Sequence, residues 1–315
     1  MLSETLKQKK SQEIESFQTI LKGASRKRIP RKPKNYHTEI TAHTLNLQLA
    51  KKRDTSFCDL TFKDCFDNDE KIKKLEKVLK SVKKMRRVGI WFSRKRKFWN
   101  VQAIPQLLKD LPFVQVISVG FPKTSEITNK TLDHIGRCLK RLKVLKEIEL
   151  DFYFCCKMAD TGLQNLAKGV KRCPLLENIK VNFWWCEKIT SAGLNSLSKS
   201  FKRLTSLDRV SFYFNYCQGI ADKELQGLAV NLKGLGRLQH INLLMIDCQE
   251  ITGEGLCSFC ETIKKSSSLQ RIKISYSGWT RISSIEEQKI IEIFTEHFQV
   301  REKWPSFVFD KKKKE

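Results

Sequence analysis

No stretch of this 315-residue sequence stays apolar for the eighteen or so residues that a membrane-spanning helix needs. The first residues, Met1-Leu2-Ser3-Glu4, do not form the apolar core of a secretory signal, and Glu4, Glu13 and Glu15 break up the charge pattern of a mitochondrial presequence. Histidine is scarce: His37, His43, His134, His240 and His297 lie in no metal motif. Phosphate-binding loops, nucleophile elbows and dinucleotide fingerprints are missing. Acid is also short, at 34 Asp and Glu against 60 Lys and Arg, a net charge of +26. These deficits exclude most routes to catalysis. The expectation is an intracellular chain, cytoplasmic or nuclear, that is no enzyme, holds no cofactor or metal and takes no small-molecule substrate.

What the sequence does contain is a tandem repeat. At a step of 31 residues, Leu145, Leu176, Leu207, Leu238 and Leu269 form one column. Ile148, Ile179, Val210, Ile241 and Ile272 form the next, and Leu150, Val181, Phe212, Leu243 and Ile274 a third. Phe152, Phe183, Phe214, Met245 and Tyr276 follow, and then Cys155, Cys186, Cys217 and Cys248. Fixed self-similarity at this period signals a solenoid.

Within one unit, Ile148, Leu150 and Phe152 alternate with Glu147, Glu149 and Asp151, as in a strand with one buried face. After a corner, Leu163, Leu166, Ala167 and Val170 recur at helical spacing. Asp160, with Asn129, Ser191 and Asp222 in register, is the expected N-cap. Stacked units then build a parallel sheet on one side and helices on the other. Unit starts at 58, 88, 117, 148, 179, 210, 241 and 272 give about eight repeats.

This pattern resembles the leucine-rich-repeat family in its cysteine-containing, ribonuclease-inhibitor-like branch, and is similar to long repeats of ciliates and other protists. Leu176, Ile179, Val181, Cys186, Ile189-Thr190, Gly193-Leu194 and Leu197 fall into the branch's motif, with two extra residues between strand and cysteine. The resemblance spans about residues 55 to 300. It implies an α/β solenoid with a curved parallel sheet on the concave side and helices on the convex side. It also implies that the column cysteines are buried corner residues without partners.

Three segments are expected: a basic extension over 1–54 with a possible cap, the solenoid over 55–300, and a C-terminal cap and basic tail over 301–315. Leu45, Leu47 and Leu49 alternate as a capping strand would, and Phe307 and Phe309 alternate as an edge strand blunted by the following lysines. Cys257 and Cys260 stand one helical turn apart, but no second pair at zinc spacing accompanies them. Eleven cysteines without a secretion signal fit a reducing compartment.

Two surfaces are candidates for function. The outward face of the sheet carries Glu147, Glu149, Asp151, Lys180, Arg209, His240, Arg271 and Lys273, with Tyr153, Trp184 and Tyr213 expected as exposed aromatics. Exposed aromatics and arginine are the usual anchors of a protein interface. The alternative is that Tyr153 and Trp184 pack against each other. The second surface is basic. Lys140, Lys171, Lys202, Lys233 and Lys264 recur at the repeat step, at expected helix C-termini. There they either complement the helix dipole or form an electrostatic track. Arg26, Lys27, Arg28, Arg31, Lys32 and Lys34 form a proline-broken arm, and Arg94, Lys95, Arg96 and Lys97 a basic corner beside Trp91, Phe98 and Trp99. The first hundred residues alone carry a net +16.

The leading expectation is a non-catalytic scaffold that binds a protein partner through the concave face. The rival is a structural subunit of a ribonucleoprotein or other anionic assembly, held by nucleic acid at the basic arm and rim. The family resemblance adds a third: a substrate receptor of a ubiquitin ligase, though no F-box is recognisable in residues 1–54.

Overall fold

The computed structural model describes residues 85–91, 111–121, 127–276, 282–295, 298–302 and 306–311, the strands His37–Thr41 and Asp59–Lys63, and isolated residues between them. Nine strands run parallel: β1 (His37–Thr41), β2 (Asp59–Lys63), β3 (Arg87–Trp91), β4 (Val116–Gly120), β5 (Glu147–Asp151), β6 (Asn178–Asn182), β7 (Arg209–Tyr213), β8 (His240–Leu244) and β9 (Arg271–Ser275). Each pairs with the next in sequence, so the sheet is open and in chain order. Six helices follow the later strands among the described residues: α1 (Asn129–Leu139), α2 (Asp160–Val170), α3 (Ser191–Phe201), α4 (Asp222–Lys233), α5 (Gly253–Ile263) and α6 (Ser284–Thr295). The fold is an open α/β repeat solenoid.

Cross-strand register reproduces the sequence columns. Ile148 pairs with Ile179, Val210 with Ile241, and Leu150 with Val181. These side chains are buried under the helices, whose apolar faces carry Leu163, Leu166 and their equivalents. Beyond each strand the phenylalanine column stacks into a spine. Phe121, Phe152, Phe183 and Phe214 lie 5.8, 5.8 and 5.7 Å apart, ring planes nearly parallel. The cysteine column serves this spine. The thiols of Cys155, Cys186, Cys217 and Cys248 donate to the carbonyls of Phe121, Phe152, Phe183 and Phe214 in the preceding repeat, at 3.0 to 3.3 Å. The last three of these carbonyls also accept the N–H of the cysteine in their own turn, so the thiol is a second donor on the same buried oxygen. Burial pushes Cys186 and Cys248 up to about 12, and Cys217 well above the usual thiol value.

The helix starts differ from expectation by one residue. Thr128, Ala159, Thr190, Ala221 and Thr252 occupy the N-cap, and Asn129, Asp160, Ser191 and Asp222 open the helix proper. The first-turn side chains reach across to the next repeat. Asp160 accepts from the Thr190 N–H and hydroxyl, and Asp222 from the same two groups of Thr252. Asn129 accepts from the N–H of Ala159. A carboxylate that joins two repeats replaces a local cap.

Three further corrections concern the ends. Leu60 pairs with Val88 and Phe62 with Ile90, so the unit set at 58 is aligned at 60 instead. A slip of two residues keeps every side chain on its face, so the alternation could not reveal it. A strand at His37–Thr41 precedes it, which sequence reasoning missed; Leu45, Leu47 and Leu49 lie outside the described residues. At the other end, β11 (Ser306–Lys311), which contains Phe307 and Phe309, is not the edge. It lies antiparallel to β9, and β10 (Phe298–Glu302) lies outside it. An antiparallel hairpin there covers the edge of β9 with two strands instead of one.

Candidate interaction surface

The helix-free face of the sheet is a connected polar network. The Ser118 hydroxyl donates to Glu149, whose carboxylate meets Lys180 Nζ at 2.7 Å. Lys180 also stands 5.8 Å from the centre of the Tyr213 ring, and Asn242 donates to the Tyr213 hydroxyl at 3.3 Å. Burial alone would lower Lys180, but Tyr213 and Glu149 carry it above the ordinary lysine value. Asp151 accepts from Asn182 and from the N–H of Tyr153. The carboxylates of Glu149 and Asp151 are therefore answered within the face. Arg209 and Arg271 are exposed; Glu147, Lys273 and His240 are half-buried. His240 Nδ1 lies 3.8 Å from Asp208, too far for a hydrogen bond. Burial, followed by Arg209, holds His240 below the usual histidine value.

Tyr153 and Trp184 are not exposed. They are 4% and 7% accessible and meet edge to face at 5.4 Å. The strands end at Asp151 and Asn182, so the in–out parity that placed these residues outward stops before it reaches them. Their neighbours, which sequence reasoning passed over, form the outer row, in which Phe154 is exposed, Tyr216 half-buried and Trp185 buried at 9%. Phe154 is 41% accessible, and its ring meets Trp185 at 5.6 Å; Trp185 stacks on Tyr216 at 4.5 Å. Phe154, Trp185 and Tyr216 are one 31-residue column, visible in the sequence.

That outer row has an unusual backbone. Phe154, Trp185, Tyr216 and Asp247 take φ of 61°, 62°, 59° and 54°. Each aromatic is third in a four-residue turn closed by a cysteine N–H donating to the spine phenylalanine carbonyl, as Cys155 does to Phe152 at 3.1 Å. Their own N–H groups donate to the next repeat, Phe154 to Trp184 at 2.7 Å and Tyr216 to Ile246 at 2.8 Å. Glycine or asparagine fills such a position most easily; for a bulky side chain it is strained.

The lysine column lies where expected. Lys140, Lys171, Lys202 and Lys264 are helix C-caps, and Lys233 ends α4. Lys140, Lys202 and Lys233 are exposed. Lys264 pairs with Glu261 at 2.9 Å. Arg26, Lys27, Arg28, Arg31, Lys32, Lys34, Arg94, Lys95, Arg96 and Lys97 lie outside the described residues, as do Phe98 and Trp99. Trp91 lies against Gly120, where any Cβ would come within 2.2 Å of its ring. Among the described residues no group of three His, Cys, Asp or Glu is placed to hold a metal, and no helix is long and apolar enough to cross a membrane.

No protein-family model matches the sequence, and no curated protein matches it. Solved structures do match. One is the actin-binding site 2 of leiomodin-1, 15% identical, with a TM-score of 0.35 over 51% of this chain and 86% of that one. Another is the yeast Rad7–Elc1 complex, 13% identical, with a TM-score of 0.34 over 78% of this chain and 81% of that one.

Proposed function

We propose that this chain is a non-catalytic interaction scaffold that docks a protein partner on the helix-free face and its aromatic corner. The observation that carries this reading is the outer row. Three successive repeats place an aromatic at a left-handed position, where a smaller residue would cost less. Local strain of this kind is retained where function needs it. On the same face stand the half-exposed ring of Tyr213, at the end of β7 nearest the row, and the exposed guanidinium of Arg209 at the strand's far end, residue types that anchor protein interfaces. The experiment places a photo-crosslinking amino acid at Phe154 and, separately, at Val230 on the helical side. The partner recovered at Phe154 is then purified and titrated. Phe154→Asn with Arg209→Glu should weaken it tenfold or more at unchanged melting temperature. Crosslinks only at Val230, or an unaffected affinity, would defeat the reading.

A second reading, docking to nucleic acid, is favoured by the recurrent C-terminal lysines. Changing Lys140, Lys171, Lys202 and Lys233 to Glu should abolish RNA binding under it, and leave a partner on the sheet face bound under the first.

A further inference from the structure

On the helical side a groove of about 420 Å³ opens between α2 and α3. Four cations line it: Lys168 in α2, Lys171 at its C-cap, Lys199 in α3 and Arg203 just past the next C-cap. No carboxylate stands among its lining residues. The geometry points to a binding site for a compact ligand carrying two or more phosphate groups.

The groove has a structural cause. Between α1 and α2, Gly136 and Gly169 bring the backbones into contact, and a Cβ on Gly169 would lie 2.3 Å from the Gly136 carbonyl. One repeat later the corresponding residues are Ala167 and Ser200, and both line the groove. Side chains now stand where backbone met backbone, and the space stays open. Asn231, one repeat further, closes the next gap by donating to Ser198 at 2.9 Å.

The chemistry of the lining selects the ligand. Ser196 and Ser200 already donate to the carbonyls of Ala192 and Leu197, at 2.9 and 2.6 Å, so recognition falls to the cations and the Gln164 amide. Lys168 gives one N–H to Asn165 at 2.9 Å and keeps two. Four positive groups around one volume repel each other, and several closely spaced negative oxygens relieve them all at once. The guanidinium adds a fork suited to phosphate. An extended strand would have to follow Lys171 along its column alone, because the column through Lys168 and Lys199 does not continue: Arg137 is paired with Asp133 on one side, and the other side holds Val230, 54% accessible. The volume lies in the range of small-molecule sites.

The test titrates the full chain with inorganic tripolyphosphate by calorimetry, with ATP and inositol hexakisphosphate as further arms that separate nucleotide from sugar sources. The expected result is one saturable site, weakened at least tenfold by Lys171→Glu with Lys199→Glu. The same charge change at Lys233→Glu with Lys265→Glu should alter affinity less than twofold. Lys171→Gln with Lys199→Gln serves if the acidic pair disturbs folding, judged by circular dichroism. Absence of saturable binding overturns the proposal. So does binding that survives the groove variants, which would place the ligand elsewhere on the chain, or equal loss in both pairs, which would make the attraction diffuse.

Discussion

The carboxylate of Asp160 holds Thr190 of the next repeat by both of its oxygens, Oδ1 taking the backbone N–H at 2.8 Å and Oδ2 the hydroxyl at 2.6 Å. Room for it comes from Gly193, where a Cβ would lie 2.5 Å from Oδ1. The same exchange repeats along the chain. Asn129 faces Gly162 and Asp222 faces Gly255, whereas the shorter Ser191 stands one repeat below Glu224, and Gly253 below Glu286.

Gly193→Ala should therefore lower stability by about 1–3 kcal/mol, the usual cost of overpacking. Asp160→Ser in the same chain should recover part of that loss. Urea midpoints of the single and double variants form a cycle, and neighbours in contact are not additive. Additive midpoints would show that the two positions do not compete for space.

Phe154→Asn should leave stability unchanged to within about 1 kcal/mol, because asparagine's tolerance of a left-handed backbone offsets the lost contacts of a ring that is 41% accessible. Phe154→Val should destabilise. Thermal melts of the two variants decide it; equal losses would mean the ring, not the backbone, dominates the position.

Cys155, Cys186, Cys217 and Cys248 should resist iodoacetamide at pH 8 while the chain is folded. Only the thiolate reacts, and burial keeps Cys186 and Cys248 at about 12. Half-exposed Cys156 should be modified first among the described cysteines. Peptide mapping after timed alkylation reads this directly, and early label on Cys217 would contradict the buried spine.

His240 should make the fold less stable in mild acid. Its folded-state value is lowered, by burial first and then by Arg209, against the Asp208 carboxylate that raises it; Arg271 adds to the lowering. The unfolded chain thus binds the proton more tightly, and stability falls as pH drops through the ordinary histidine value near 6.5 and on to the folded one. His240→Gln should flatten that part of the melting curve between pH 7.5 and 5. An unchanged slope would assign the loss to other groups.

Much of the fold was legible in the sequence, because burial on one side of a strand forces a period of two and stacking forces a period of 31. Ile148, Leu150 and Phe152 are where those periods put them. Tyr153 and Trp184 were misplaced because parity holds only while the backbone stays extended, and the chain turns after Asp151 and Asn182. The column of Phe154, Trp185 and Tyr216 was readable as a column, but the sign of φ leaves no mark in a list of residues.

The sequence by itself determined the repeat, its length and the two faces of the sheet, since these follow from where apolar groups must recur to leave water. Tertiary structure decided which groups meet between repeats. Asp160 reaches forward to Thr190 instead of capping its own helix, and Glu149 spends its charge on Lys180. Ala167 and Ser200, which stand where the preceding helix pair has Gly136 and Gly169, line the groove between α2 and α3. Those pairings depend on distances of a few ångströms between residues some thirty positions apart, and only the stacked chain sets them.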